Sequence, residues 1–493
     1  MLEYIKINNK DNVAVALTDL EKDYAVNIDG EEIILKESIK RGHKFALKNM
    51  KKDDKVIKYG MLIGILIKDT EKGCLLHTSN IKTSLGDILN YEYNPNLTSL
   101  EKRESSYFYG YPRKNGKIGI RNDIWIIPTV GCVNAVCKQL ELDFNAKINN
   151  PDLRAIAFPH PYGCSQMGDD QESTRKALAD MILHQNAGAV LVLGLGCENT
   201  GIEILKEYIG EYDKERVVFL SCQEFDDEYA KSLEVLDNLY NLIKDEQRVK
   251  TDASKLVVGL KCGGSDGLSG ITANPLVGEF SDILISKGGS TILTEVPEMF
   301  GAETNLMNRC ENKDIFDKTV SLINDFKMYY KNYDMPIYEN PSPGNKEGGI
   351  STLEDKSNGC IQKSGTANVV DVLEYGQRIE KQGLNLLSAP GNDLVSSTAL
   401  ALSGAHIVLF TTGRGTPFSC PVPTIKISSN TNLYKRKKNW MDFNAGSIVE
   451  DKDKKTLAEE LFEFVLSIAS GEKTSSEKMN SYDWAIFKKG VTL

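Results

Sequence analysis

Over the first 92 residues the apolar positions fall in short runs: Val13–Leu17, Tyr24–Ile28, Glu32–Leu35, Val56–Lys58 and Met61–Ile67. Asp-Gly and Tyr-Gly pairs separate some of them. Short runs with turn punctuation predict a small all-β domain over residues 1–92. Residues 93–110 are polar, carry Pro95, and read as a linker. From Tyr111 the pattern changes. Asp123–Val130 runs into Gly131-Cys132, and Arg154–Phe158 into the polar stretch Pro159–Asp170. Ala189–Leu195 runs into Gly196-Cys197-Glu198-Asn199, and Val217–Leu220 into Ser221–Glu224. Between them Ala177, Leu178, Met181 and Ile182 share a helical face, as do Leu233, Leu236, Tyr240 and Ile243. Strands alternating with helices imply parallel sheets with crossover connections.

A charged break at Lys244–Lys255 divides this region into an α/β domain at 111–250 and a second at 251–493. In the second, Lys255–Leu260, Thr291–Leu293, Leu384–Leu387 and His406–Phe410 read as strands, and Thr456–Ile468 as a closing amphipathic helix. The expected fold class is a multidomain α/β protein: a small all-β domain, then two α/β domains with largely parallel sheets. The densest loop is Lys261–Pro275, KCGGSDGLSGITANP. Its four glycines suit tight turns and close backbone approach. Its Ser, Asp, Thr and Asn side chains supply hydrogen bonds at the carboxyl end of a strand, where such sheets place ligands.

Charge narrows the partners. With 59 basic and 69 acidic residues the chain carries a net charge of -10, which argues against nucleic acid or an anionic membrane. No apolar run approaches the roughly 20 residues of a membrane span. The N-terminus has no apolar signal segment, so cytoplasm is expected. The ten cysteines include no CxxC pair, which favours thiols or metal ligands over disulfides. Gly194-Leu195-Gly196 lacks the third glycine of a dinucleotide fingerprint, since position 199 is Asn, and there is no P-loop.

Candidate chemistry gathers at the strand ends. The strand-end acids Glu198, Asp266, Glu295 and Asp393, the first and last beside Asn199 and Asn392, suit cation binding or proton transfer. Lys261 and His160 join Asp266 and Glu295 as candidate catalytic groups. Arg121 and Arg414, each near glycine, suit a carboxylate clamp. Asn122, Asn274 and Asn392, with Asp393, suit sugar hydroxyls. Cys132, Cys164, Cys197 and Cys262 fall at strand ends. Converging, they could hold iron, alone or as a cluster; a single cation is expected, because no local spacing resembles a cluster run.

Long strings carry a resemblance through nearly the whole chain: DNVAVAL, RGHKFAL, GIRNDIWIIPTVGCVN, YGCSQMGDD, GLGCENT, KCGGSDGLSGITANP, TEVPEMFGAE, SAPGND and TTGRGTP. The chain resembles the altronate/galactarate dehydratase family. The resemblance implies an N-terminal SAF (β-clip) domain and a divalent cofactor, Fe2+ or Mn2+. It implies dehydration of D-altronate to 2-dehydro-3-deoxy-D-gluconate in hexuronate catabolism. Galactarate dehydration, a sulfolactate-type elimination and a non-catalytic sugar-acid-binding protein are the alternatives. His43, His77, Cys197 and Glu198 are the expected metal ligands. The family often reads HxHN where this chain has His77-Thr78-Ser79-Asn80, so Ser79 replaces one histidine. A lid role for the β domain, carrying His43 and His77, is expected. The expected partners are a small sugar acid and further copies of the chain.

Overall fold

The computed structural model of the chain describes residues 2–86 and 90–490. The early apolar runs become short strands: β1 (Tyr4–Ile5), β2 (Val13–Ala16), β3 (Ala25–Ile28), β4 (Glu31–Ile34), β5 (Lys44–Ala46), β6 (Lys55–Lys58), β7 (Met61–Leu66), β8 (Leu75–Leu76) and β9 (Ile81–Lys82). They pair antiparallel in sheets ordered β1-β2-β5-β8, β3-β4 and β6-β7-β9. Period-two alternation turns Val26 and Ile28 inward, onto Leu20, Ile33, Leu35 and Phe45. The polar stretch that follows lies against the C-terminal part. Asn96 N–H donates to Asn308 O (2.7 Å) and Thr98 N–H to Asn368 Oδ1 (2.9 Å).

After β10 (Tyr107–Pro112) and β11 (Ile118–Gly119), a parallel sheet forms from β12 (Asp123–Pro128), β13 (Ala155–Ala157), β14 (Ala187–Gly194) and β15 (Val217–Ser221). Helices α1 (Asn134–Ile148), α2 (Gly168–Ile182), α3 (Ile202–Ile209) and α4 (Glu228–Ile243) cover both faces. Alternate residues of β12 divide between them: Ile124 and Ile126 pack with Leu140 and Leu236, Trp125 and Ile127 with Leu178 and Leu205. The strand order is β13-β12-β14-β15. The chain therefore leaves β12 to one side and returns to the other. Such a reversal opens a crevice at the carboxyl ends of the strands. The charged break contains one more strand, β16 (Val249–Asp252), which pairs antiparallel with β10.

The third unit is a seven-stranded sheet, parallel throughout: β17 (Val257–Cys262), β18 (Ser290–Leu293), β19 (Val369–Leu373), β20 (Leu384–Leu387), β21 (Ile407–Thr412), β22 (Thr424–Ser428) and β23 (Phe443–Asn444). Asp371 in β19 and Lys426 in β22 interrupt the apolar pattern, so these strands are not announced by it. Around the sheet lie α5 (Ala273–Ser286), α6 (Glu303–Met307), α7 (Lys313–Asn332), α8 (Pro343–Glu347), α9 (Leu353–Cys360), α10 (Asp393–Leu402), α11 (Thr431–Arg436) and α12 (Lys454–Ala469). The order β19-β20-β18-β17-β21-β22-β23 places the first strand in the middle and the reversal between β17 and β21. Val258 and Leu260 pack with Leu276 and Phe280 of α5 and Leu461 of α12. On the other face a Cβ at Gly259 would fall 2.9 Å from Leu400 Cδ1, so the glycine lets α10 lie close.

The β domain docks on this third unit. Lys44 Nζ lies 2.8 Å from Asp355 Oδ2 and Lys58 Nζ 3.1 Å from Oδ1, all three side chains fully buried. A Cβ at Gly267 would fall 2.0 Å from Gly42 O, so backbone meets backbone at this seam. Among the described residues no helix is long and apolar enough to cross a membrane.

Candidate active site at the carboxyl end of the central strand

Successive side chains of a strand point to opposite faces, so the last two residues of β17 send different chemistry to different helices. Lys261 turns to the α10 side. Its Nζ lies 2.7 Å from Asp393 Oδ1, 3.1 Å from Ser396 Oγ and 3.2 Å from Glu295 Oε1. Cys262 turns to the α9 side. Its Sγ lies 2.9 Å from Glu298 Oε2, 3.4 Å from Cys360 Sγ and 3.0 Å from Lys363 Nζ. Lys356 Nζ completes the group, 2.7 Å from Glu298 Oε1. Glu295 ties the two halves together, because its Oε2 accepts the Cys262 N–H at 2.9 Å. It does so from a left-handed backbone, φ +68°, unusual for a branched-out side chain of this size.

Lys261, Cys262, Glu295, Glu298, Lys356, Cys360 and Lys363 are all buried. A buried charge is costly unless paired, so each protonation state is set by its neighbours. Burial, reinforced by the Glu298 carboxylate, pushes Glu295 well above the usual carboxylate range. Burial opposes ionisation of Glu298 too, but Lys356 and Lys363 outweigh it and hold Glu298 at about 2. The hydrogen bond from Cys360, helped by Lys363 and Lys356 against the pull of burial, brings Cys262 down to about 7. The same bond and burial push Cys360 well up. Burial disfavours the Lys261 ammonium, and with Glu295 holding its proton the counter-charge that favours it is the Asp393 carboxylate. Asp393 is the member open to solvent, with 36 % of its side chain exposed.

The loop after Cys262 carries the second half of the site. A Cβ at Gly263 would fall 2.6 Å from Asp393 Oδ1. Three residues on, Asp266 accepts from Ser269 N–H (2.9 Å), Ser429 Oγ (2.8 Å) and Asn430 Nδ2 (3.2 Å), which pins the loop to the segment that follows β22. Here, at the strand-order reversal, a cleft of about 280 Å³ opens, lined by Arg41, Gly42, Asp266, Arg414, Asn430 and Arg436 among others. Arg414 is tied to Glu347 (2.9 Å) and Gly344 O (3.0 Å). Arg41 Nε is buried without a partner. A larger cleft of about 590 Å³ is lined by Asp169, Asp170 and Asp325 and would repel a carboxylate.

His43 and His77 stack at 5.3 Å on the β-domain side of the same seam. His77 Nε2 lies 2.8 Å from Lys346 O. Burial lowers the pKa of both rings. The exposed Ser79 sits in the turn closed by Asn80 N–H to His77 O (2.9 Å). The other candidates are held by the protein itself. Arg121 pairs with Glu477 (2.6 Å) and donates to Ile120, Ile468 and Glu472 carbonyls. Asn122 bonds Arg113 and Ile243 O. Asn274 bridges Thr411 and Gly359 O, and Asn392 caps α10. His160 is buried, its Nε2 2.8 Å from Pro128 O, and burial lowers it to about 4. Glu198 accepts from Thr129 and the Gly196 N–H (2.7 Å), while Cys197 beside it is exposed.

Among the described residues the three-ligand group with geometry for a metal is Cys262, Glu298 and Cys360, all ligand atoms within 4.8 Å. A divalent cation does not fit it as it stands. The Cys262 thiolate and Glu298 carboxylate already face two lysine ammoniums, and a cation would add uncompensated charge to a closed site. The expected set of His43, His77, Cys197 and Glu198 does not form such a group.

Glu298, Cys360, Lys356, Lys363, Arg41 and Arg436 escape the sequence reading. RGHKFAL and TEVPEMFGAE, which contain Arg41 and Glu298, are the only signals that reach any of them.

Three family profiles match in tandem: an altronate/galactarate dehydratase SAF domain at residues 2–84, a D-galactarate dehydratase/altronate hydrolase second domain at 110–244, and a D-galactarate/altronate dehydratase C-terminal domain at 253–492. The chain is 50% identical to altronate dehydratase of Escherichia coli and to that of Bacillus subtilis, each over 100% of both chains. It is 33% identical to the L-threo-forming galactarate dehydratase of Escherichia coli, over 95% of this chain and 93% of that one. With the β domain, both parallel sheets and the strand-end site matched in order, the chain belongs to the altronate/galactarate dehydratase family.

Proposed function

We propose that the chain dehydrates D-altronate to 2-dehydro-3-deoxy-D-gluconate. The observation that carries this reading is the Lys261–Glu295–Asp393 cluster, an ammonium between a proton-bearing acid and a solvent-reached carboxylate at the end of β17. Arg41 and Arg436 bind the substrate carboxylate in the cleft, and Asn430 orients hydroxyls. Asp393 accepts the C2 proton. The Lys261 ammonium faces the negative charge that develops as that bond breaks, a contribution of several kcal/mol in a closed site. Glu295 delivers its proton to the departing C3 hydroxyl, which leaves as water. The enol then tautomerises to the ketone. No step is routed through Fe2+ or Mn2+, because the Cys262–Glu298–Cys360 group is already balanced by Lys356 and Lys363.

The purified chain should form a 2-keto-3-deoxy acid from D-altronate. Lys261→Met should lower kcat by about 100- to 1000-fold with KM little changed. Arg41→Ala and Arg436→Ala should raise KM. Turnover of galactarate but not altronate would reassign the substrate. Full activity in Lys261→Met would remove the cluster from the mechanism.

A further inference from the structure

The cleft at the seam with the β domain runs against the net charge of -10. Three guanidiniums line it, Arg41, Arg414 and Arg436, against one carboxylate, Asp266. Asp266 is occupied by donors of its own: Leu268 N–H (3.2 Å), Ser269 N–H and Oγ (both 2.9 Å), Ser429 Oγ and Asn430 Nδ2. Among the described residues Arg41 and Arg436 form no ion pair. Arg414 does, and the reaction proposed above makes no use of it.

Arg414 is held at both ends. Its N–H donates to Gly264 O (3.0 Å), and its Nη1 donates to Gly344 O (3.0 Å) and to Glu347 Oε2 (2.9 Å). A Cβ at Gly344 would sit 3.6 Å from Nε, so α8 lies against the guanidinium. Glu347 ends α8, and that helix is fixed in turn. Ser342 and Asn345 close a capping box, and Asn345 Nδ2 donates to Ser265 O (2.8 Å). The His77 ring meets Lys346 O at 2.8 Å, and Gly267 N–H donates to Gly348 O at 2.7 Å. The backbone on both sides of the pair is therefore pinned to the loop after β17 and to the β domain. The side chains are open, with 46% of Arg414 and 74% of Glu347 exposed. A pair that open does little for stability. What it changes is the charge that a ligand meets in the cleft.

Given that the cleft binds the substrate, as the reaction above requires, we propose that Glu347 is a specificity-determining residue: it masks Arg414 and so restricts the cleft to sugar acids with one carboxylate. The cleft is about 280 Å³, so a sugar acid inside it lies in the field of all three guanidiniums. Arg41 and Arg436 match the single carboxylate of an aldonate. Arg414, unmasked, would match the second carboxylate of an aldarate. Masked, it presents Glu347 to that group, and like charges repel. The C6 hydroxyl of an aldonate is neutral and meets no such penalty. Discrimination of this kind comes from a repulsive group as much as from an attractive one.

The test compares D-altronate with D-altrarate, which differs from it only in oxidation of C6 to a carboxylate, so charge is separated from the configuration of the hydroxyls. Dissociation constants are measured by calorimetry on the full chain, as wild type, Glu347→Gln and Glu347→Gln/Arg414→Gln, at low and high salt. At low salt Glu347→Gln should shift the affinity ratio roughly 10-fold toward altrarate, and high salt should shrink the shift. The double variant should return the ratio close to the wild-type value. An unchanged ratio in Glu347→Gln, a shift that persists in the double variant, or one that salt does not weaken would each overturn the masking. Binding of neither ligand would overturn it together with the substrate cleft. Calorimetry needs no turnover. Altronate turnover with an unchanged ratio therefore removes the masking alone, and a shifted ratio without turnover removes the proposed reaction alone.

Discussion

Glu295 shows how much one residue can be asked to do. Its left-handed backbone costs about 1–3 kcal/mol, and in return its two oxygens reach Cys262 N–H and the Lys261 ammonium at once. Glu295→Gln keeps the shape and removes the proton, so kcat should fall about 100-fold or more while the melting temperature barely moves; unchanged kcat would exclude it as the acid. Three histidines carry a different cost. Burial lowers His160 and His406 to about 4 and holds His184 well below its usual range. Their unfolded value is about 6.5. A depressed pKa means that the unfolded chain takes up the proton first as pH falls. The stability these rings contribute is whole above pH 6.5 and is lost between about 6.5 and 4, on the order of 3 kcal/mol for His160. Urea midpoints measured at pH 7.5 and pH 5 should show the loss, and His160→Gln should flatten it.

Among the elements, the Gly-rich loop after β17 does two jobs with one backbone: Gly263 clears Asp393, and Gly267 lies against Gly42 of the β domain. Neither side of the Gly267 contact can yield, since both are main chain. Gly267→Ala should cost about 1–3 kcal/mol and raise KM, because it separates Arg41 from Arg414. A normal KM would mean that the cleft does not bind substrate. This loop was legible in the sequence, since its glycines and polar residues have no other use after an apolar strand. So were many strands, whose apolar runs end within two residues of the observed strands. α9 was not. LEDKSNGCIQKS reads as a solvated helix, yet Asp355, Lys356, Cys360 and Lys363 are all buried. Periodicity reports apolar faces, and a face buried through paired charges leaves no periodic trace. Arg436 was hidden for a related reason: in YKRKK it is one basic residue among several, and only the tertiary fold selects it.

At the scale of the whole molecule, a buried charge cluster ties the β domain to the third unit. Asp355 would be pushed up by burial, but Lys44 and Lys58 outweigh it and hold it well below the carboxylate range. Asp355→Asn leaves two lysines buried without their counter-charge, and about 3–5 kcal/mol of stability should go with it. Replacing all three together by Met, Met and Leu should be far milder, and urea unfolding of the two variants separates pairing from mere packing. The β domain is thereby a fixed part of the cleft wall rather than a free flap, and His43→Ala and His77→Ala should perturb kcat/KM only if their rings face substrate in this docked position. The same triad sets a schedule for the newly made chain. Lys58 and Asp355 are 297 residues apart. At about 5–20 residues per second the ribosome needs roughly 15–60 s to travel that distance. Throughout that wait the two lysines must stay in water, so the N-terminal unit cannot take its final seat until translation has passed α9.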